Sequence, residues 1–390
     1  MNVPKLRFKE FQEDWKKKTV ESISSTVTSG SRDWAQYYSE TGDKFIRMTN
    51  LVREGINLDL SDLRFVSLPV DSSSEGKRTS LIFGDILVSI TAELGKLGWV
   101  PNNFGTAYIN QHTALIRPSS KVHSKFIAYT LSTKKYNNDL NRLNDSGAKA
   151  GLNLSTLKSF SISLPENLTE QTKIATFLSA VDEKIAQLSR KHELLQQYKQ
   201  GMMQQLFSQK LRFKDDKGED FPEWEEKLLG NICSNFQSGK SITSDEIFEV
   251  GKYPVYGGNG LRGFTSSYTH EGTFVLIGRQ GALCGNINLV NQKNFVSEHA
   301  IAVQAQKSFS NEWLAQLLTW MNLGRFSESS AQAGLAVNKL IKFKICCPTK
   351  LEQTKIANFL NAIDNKIDVI TNQIQQAREW KQGLLQQMFV

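Results

Sequence analysis

Cysteine is scarce in this 390-residue chain: there are four, Cys233, Cys284, Cys346 and Cys347, all in the second half and without a CxxC pair. That argues against a disulfide framework or a cysteine-built metal cluster and fits a reducing cytoplasm. Histidine is nearly as sparse. His112, His123, His192, His270 and His299 are scattered without HExxH, and GxSxG, GxxxxGK[ST] and the NPPY or DPPY of amino-methyltransferases are missing. No run approaches the roughly 20 apolar residues of a membrane helix, and the opening MNVPKLRFKEF has no apolar core for a signal peptide. With catalytic constellations missing, the chain reads as a binder.

What is present is a repeat. Glu170 to Ser208, EQTKIATFLSAVDEKIAQLSRKHELLQQYKQGMMQQLFS, returns as Glu352 to Val390, EQTKIANFLNAIDNKIDVITNQIQQAREWKQGLLQQMFV, without a gap. In the first copy Ile174, Leu178, Val181, Ile185, Leu188, Leu195, Met202 and Leu206 follow the four-three spacing of a coiled-coil seam. The second copy keeps that register through Ile356, Leu360, Ile363, Ile367, Ile370, Ile374, Ala377, Leu384 and Met388. Ile374 stands where the first copy has His192, a polar residue tolerated on the seam. Neither copy contains proline, and the single glycine in each, Gly201 or Gly383, is a weak breaker. Each copy therefore predicts a helix of roughly 58 Å. Two such helices, each closing a similar half, pair most simply antiparallel about a pseudo-two-fold axis.

Repetition continues outside the helices. KLRFK at Lys5–Lys9 recurs at Lys210–Lys214, and each copy leads to a phenylalanine and a tryptophan, Phe11 and Trp15 or Phe221 and Trp224. The order is cyclic, so Met1 is expected beside Val390. AGLNLSTLKSFSISLP, Ala150–Pro165, aligns with AGLAVNKLIKFKICCP, Ala333–Pro348, each ending in a strand pattern closed by proline. These boundaries divide the chain into a lead-in and first domain at 1–165, a long helix at 166–208, a lead-in and second domain at 209–348, and a second long helix at 349–390. The fold class is α/β, two strand-rich mixed domains separated by two long antiparallel coiled-coil helices in a pseudo-two-fold duplication.

The domain fillings mostly differ. FGDILVSI at Phe83–Ile90 and GTFVLI at Gly272–Ile277 read as short strands, each leading into a glycine-containing loop, and Lys125–Asn137 and Asn311–Phe326 carry helical spacing. Gln111-His112 and Glu298-His299 fall at matching places. A formal charge of +8 and a pI near 9.1 favour a polyanionic partner, and the positive excess lies in the globular stretches rather than on the helices. Gly258, Gly260 and Gly263 in GNGLRG have GxGxxG spacing, but FTSSYTHEG follows where a dinucleotide site needs a helix. YPVYGGNGLRGF, Tyr253–Phe264, reads instead as a flexible loop between strands, carrying asparagine and arginine, the side chains that pair with adenine and guanine edges.

The twin EQTKIA helices with their KQGMMQQLF and KQGLLQQMF ends, the LRF and FPEWEEKLLGNI lead-ins and the YPVYGGNGLRGF run resemble, over the whole length, the specificity subunit of type I restriction-modification systems. The resemblance implies a non-catalytic reader of double-stranded DNA with two target recognition domains, each taking one half of a bipartite, asymmetric, gapped site, with the helices as a ruler. It also implies partners: two modification subunits carrying S-adenosylmethionine and adenine methylation, and two ATP-driven restriction subunits. No cofactor is expected in this chain; S-adenosylmethionine, ATP and magnesium belong to the partners. Candidate DNA contacts are Arg32, Lys44, Arg47, Asn50, Lys96, Gln111 and His112 in the first domain, and Lys240, Tyr256, Asn259, Arg262, Arg279, Gln280 and His299 in the second. Inserting a heptad before His192 is expected to lengthen the unread gap. Two other readings stay open at this point, a free-standing DNA-binding scaffold without a methyltransferase partner and an enzyme using GNGLRG for a nucleotide.

Overall fold

Strand period decides where the cores lie. A computed structural model describes residues 3–69, 76, 79–143, 151–281, 283–327 and 334–390, in two units, Met1–Gln187 with Gln373–Val390, and Leu188–Asn372. FGDILVSI forms the strand Ile86–Ser89 and GTFVLI the strand Thr273–Gly278, both buried almost throughout. Successive side chains on a strand point to opposite faces. Ile86 and Val88 accordingly join one core with the helix Ser124–Ser132, whereas Leu87 joins another with Ile46, Ile109 and Leu115. The second unit repeats the division, with Val275 and Ile277 on one side and Phe274 and Leu276 on the other.

The sheets match as well. In the first unit an antiparallel sheet runs in the order Ser24–Ser29, Thr113–Pro118, Ile86–Ser89, Leu97–Trp99. In the second the same order is filled by Cys233–Ser238, Ala300–Ala305, Thr273–Gly278 and Ile287–Asn291. Beside each lies a smaller sheet containing one parallel pair, Asp43–Ile46 with Ala107–Ile109 and Tyr253–Gly257 with Phe295–Val296. The proline-closed strands pair with the lead-ins, Lys16–Thr19 on Ser161–Leu164 and Glu225–Leu228 on Lys344–Cys347. Unlike sequences have built one fold twice. The helical spacing over 125–137 is divided at Thr133, which closes one helix and caps the next, Lys134–Arg142.

The repeated stretches form the helices Leu168–Phe207 and Lys350–Met388. Ile174, Leu178, Val181 and Leu188 are buried and Ile185 is half-buried; Ile356, Leu360, Ile363 and Ile370 are buried and Ile367 is half-buried. Within the first unit the opening part of the first helix lies antiparallel to the closing part of the second: Asp182 pairs with Lys381, and Phe177 meets Trp380 edge-on. Within the second unit the symmetry-related bridge joins Lys199 to Asp364 at 2.6 Å. Near Gly201 the buried position is Met203, with Met202 only half-buried, so the four-three seam slips by one residue there.

The EQ of each EQTKIA has a structural task. Glu170, 1% exposed, accepts from Arg7 Nε at 2.7 Å and Nη2 at 2.9 Å and from Trp15 Nε1 at 3.2 Å. Glu352 accepts from Arg212 Nε at 3.2 Å, Arg212 Nη2 at 3.0 Å and Trp224 Nε1 at 3.1 Å. The hydrogen bonds to these carboxylates raise both guanidinium groups above their ordinary value. Gln171 donates to the Pro165 carbonyl and accepts from the His123 amide; Gln353 does the same with Pro348 and Ser310. The cyclic order has a direct expression too. Leu211 N donates to Gln205 O at 3.1 Å just after the first helix, and Leu6 N donates to Gln387 O at 2.8 Å at the end of the second. Met1 lies outside the described residues.

Candidate nucleic-acid interface

Each unit carries a tight turn at the start of a central strand. In Asn110–Thr113 the Thr113 amide donates to the Asn110 carbonyl at 3.1 Å, and in Ser297–Ala300 the Ala300 amide donates to the Ser297 carbonyl at 3.0 Å. Two neighbouring segments hold each turn. Gly30 N donates to Thr113 O and Gly239 N to Ala300 O; Ile90 N donates to His112 O and Arg279 N to His299 O. Parallel bridges join Ser31 to Asn110 and Lys240 to Ser297. A Cβ on Gly30 would stand 2.2 Å from the Ile109 carbonyl oxygen, and one on Gly239 would stand 2.2 Å from that of Ser297, so only glycine permits this approach. The strand that follows each turn has six residues, about 20 Å at ordinary rise. It leads to the backbone amide held by Gln171 or Gln353. The turns therefore lie at the edge of each domain remote from its long-helix contact.

At the first edge Arg32 is exposed beside Ser31, and no hydrogen bond or ion pair engages its side chain among the described residues. His112 is held on both sides, its Nδ1 2.9 Å from Thr91 Oγ1 and its Nε2 3.0 Å from Gln111 Nε2. Lys96 is paired with Glu93 at 2.5 Å. Arg47 is tied to the carbonyl and carboxylate of Asp62 at 2.8 and 2.7 Å. Two residues fall away from the edge. Asn50 is 1% exposed, with its carbonyl on Arg47 N and its amide on the carbonyls of Asp59 and Asp62, so it staples a loop and offers no edge to a ligand. Lys44 donates to the Phe104 carbonyl at 2.7 Å, towards the opposite end of its strand.

The second edge gathers its predicted residues more closely. YPVYGGNGLRGF is a β-hairpin, Tyr253–Gly257 paired with Gly260–Thr265, rather than a flexible loop, because Gly258 and Asn259 suffice for the turn. No helix follows the glycines, which removes the dinucleotide geometry. A Cβ on Gly258 would lie 3.1 Å from His299 O and 3.3 Å from Gln280 O, so the hairpin tip rests against both segments. Asn259, Arg262, Gln280 and Lys240 are exposed there, and Arg279, Tyr256 and His299 are half-exposed. The aliphatic stem of Arg262 lies against Gly257, leaving its guanidinium without a protein partner among the described residues. His299 Nδ1 is 3.2 Å from Gln280 Oε1. Burial, and secondarily the charge of Lys240, pushes the nearby His270 imidazole below its ordinary pKa.

The residues that frame these edges were not among the predicted contacts: Gly30 and Gly239, which admit the turn, and Glu298, which shares the turn tip with His299. A cavity of about 630 Å³ between the Arg53–Asn57 loop and the long-helix segments of the first unit is lined by none of the predicted DNA contacts. Among the described residues no group of three His, Cys, Asp or Glu could hold a metal ion, and no helix is long and apolar enough to cross a membrane.

The family model described as the Type I restriction modification DNA specificity domain matches residues 12–197 and again residues 222–379. The chain belongs to this DNA specificity family. Each match to the specificity domain contains one of the two turns. Among curated specificity subunits, the type I restriction enzyme EcoprrI subunit of Escherichia coli is 38% identical over 177 residues, 44% of this chain and 42% of that protein. The chain thus spans under half the length of that relative. The putative MjaX specificity subunit of Methanocaldococcus jannaschii is 24% identical over 409 residues, 98% of this chain and 95% of that protein. The crystal structure of a type I system S subunit from M. genitalium superimposes with a TM-score of 0.69 at 20% identity, covering 100% of this chain and 99% of that one. That likeness establishes the common fold of the specificity family.

Proposed function

We infer that this chain reads DNA as the specificity subunit of a type I restriction-modification system, recognising a bipartite, asymmetric site interrupted by unread base pairs. The observation that carries this reading is one edge built twice with unlike side chains: Arg32 and Gln111 in the first domain, Lys240, Asn259, Arg262 and Gln280 in the second. Exposed cations at such an edge gain affinity by displacing phosphate counterions, and amide or guanidinium tips discriminate base edges. Unlike edges on a common scaffold take unlike half-sites. The chain itself performs no bond-making step. Two modification subunits dock on the long helices and bring S-adenosylmethionine and adenine methylation, and two restriction subunits bring ATP-driven translocation and magnesium-dependent cleavage, all in the cytoplasm. Sequencing methylated adenines in the host with and without this chain tests the reading. An interrupted two-part motif that disappears with the chain is expected, and a methylome that does not change rejects it.

A further inference from the structure

The two turn tips are equivalent in backbone and unlike in chemistry. Gln111 and Glu298 each occupy the second position of a turn closed by the same hydrogen bond, gripped by the same glycine and followed by a histidine whose carbonyl accepts from the neighbouring strand end. One tip therefore ends in an amide and the other in a carboxylate, at one place on one scaffold.

Their local bonding leaves each with something to offer. Gln111 Nε2 lies 3.0 Å from His112 Nε2, which uses one amide hydrogen and leaves the second, together with the carbonyl oxygen, unengaged among the described residues. Glu298 Oε2 is enclosed and has no hydrogen-bond partner among the described residues, but the side chain is 34% exposed, which leaves Oε1, 3.3 Å from His299 Nε2, as the acceptor open to a ligand. A carboxylate oxygen with spare acceptor capacity seeks an amine. In the major groove the exocyclic amine of cytosine is a donor with no acceptor of its own beside it. The amine of adenine sits next to the N7 acceptor, which repels a carboxylate and suits an amide.

We propose that Gln111 and Glu298 are equivalent base readers, one in each half-site, Gln111 pairing with the N6–N7 edge of an adenine and Glu298 accepting from N4 of a cytosine. The assignment rests on the DNA-reading function inferred above. It makes the tip residue a specificity determinant whose exchange alters one base pair and leaves the rest of the site alone.

The test exchanges the two chemistries in the intact chain in its host, Glu298→Gln in one strain and Gln111→Glu in another, followed by methylome sequencing and by thermal melting of the purified variants. With Glu298→Gln, methylation at motif instances carrying cytosine at one position is expected to fall about tenfold or more relative to instances carrying adenine there. The other half-site stays as in wild type. Gln111→Glu is expected to shift one position of the other half-site from adenine to cytosine. A wild-type motif that persists unaltered in both variants overturns the assignment while leaving the DNA-reading function standing. So does a uniform loss of methylation in both, since an isosteric change at a tip that reads one base spares the remaining contacts. Absence of any motif that depends on the wild-type chain removes the DNA-reading function itself.

Discussion

Arg7 and Glu170 are 8% and 1% exposed at their side chains and share a bidentate pair, with Trp15 Nε1 adding a third hydrogen bond to the same carboxylate. Glu170→Ala removes the carboxylate that Arg7 and the Trp15 indole share and leaves the guanidinium only the Glu13 carbonyl, a loss of about 3–5 kcal/mol. Glu352→Ala is expected to lose less, because Arg212 is 21% exposed and water reaches it; urea unfolding of the two variants gives the comparison. His123 predicts a pH effect. Burial, and then the charge of Lys125, holds its imidazole below the ordinary value near 6.5, and its ring Nδ1 accepts from the Phe126 amide as a helix cap. The unfolded chain thus binds that proton more readily than the folded one. Stability falls as pH drops below about 6.5 and levels off once pH passes the lowered folded value. His123→Ser keeps a capping oxygen and is expected to flatten this part of a melting-temperature profile recorded between pH 7.5 and 5. At the hairpin, Arg262→Ala is expected to weaken binding by about 1–3 kcal/mol at one half-site. An equal loss on all sequences, measured by titration against matched and random duplexes, would mark a phosphate contact instead.

Gly201 and Gly383 sit inside the long helices with open space where a Cβ would go and no positive φ. Gly201→Ala and Gly383→Ala should each stabilise the chain by up to about 1 kcal/mol in a denaturant midpoint measurement. A neutral or unfavourable result would mean that these helix positions gain nothing from helix propensity. The long helices were the most legible elements, because a four-three pattern sustained over 39 residues has one structural meaning, and Ile174, Leu178, Ile356 and Leu360 are buried accordingly. Short strands were legible where apolar residues ran together, as at Ile86–Ser89. The hairpin was only half legible: tyrosine, glycine and asparagine chemistry serves both a mobile loop and a two-residue turn, and strand pairing between Tyr253 and Thr265 decides between them. Asn50 shows the same limit at a candidate contact. An asparagine amide suits an adenine edge and a loop carbonyl equally, and only its burial among Arg47, Asp59 and Asp62 reveals which it serves. The Arg7–Glu170 pair was signalled by the recurrence of EQTKIA and of KLRFK, but that Glu170 meets Arg7 depends on contacts 163 residues apart.

Over the whole chain, the function proposed above makes the unread gap depend on the length of the duplicated helices. Adding one heptad to each long helix, before His192 and before Ile374, lengthens each by about 10.5 Å. That corresponds to about three base pairs at 3.4 Å each. The methylated motif of such a variant is expected to keep both half-sites and gain unread positions between them. A gap of unaltered length would remove the ruler. The glutamine that follows each buried glutamate has a different consequence, for the divergence of the two halves rather than for binding. Gln171 and Gln353 take hold of their domains through the backbone amides of His123 and Ser310, two unlike residues that each cap a helix of their domain. That hold tolerates a histidine in one copy and a serine in the other, so the two halves can diverge at this joint while keeping the same glutamine.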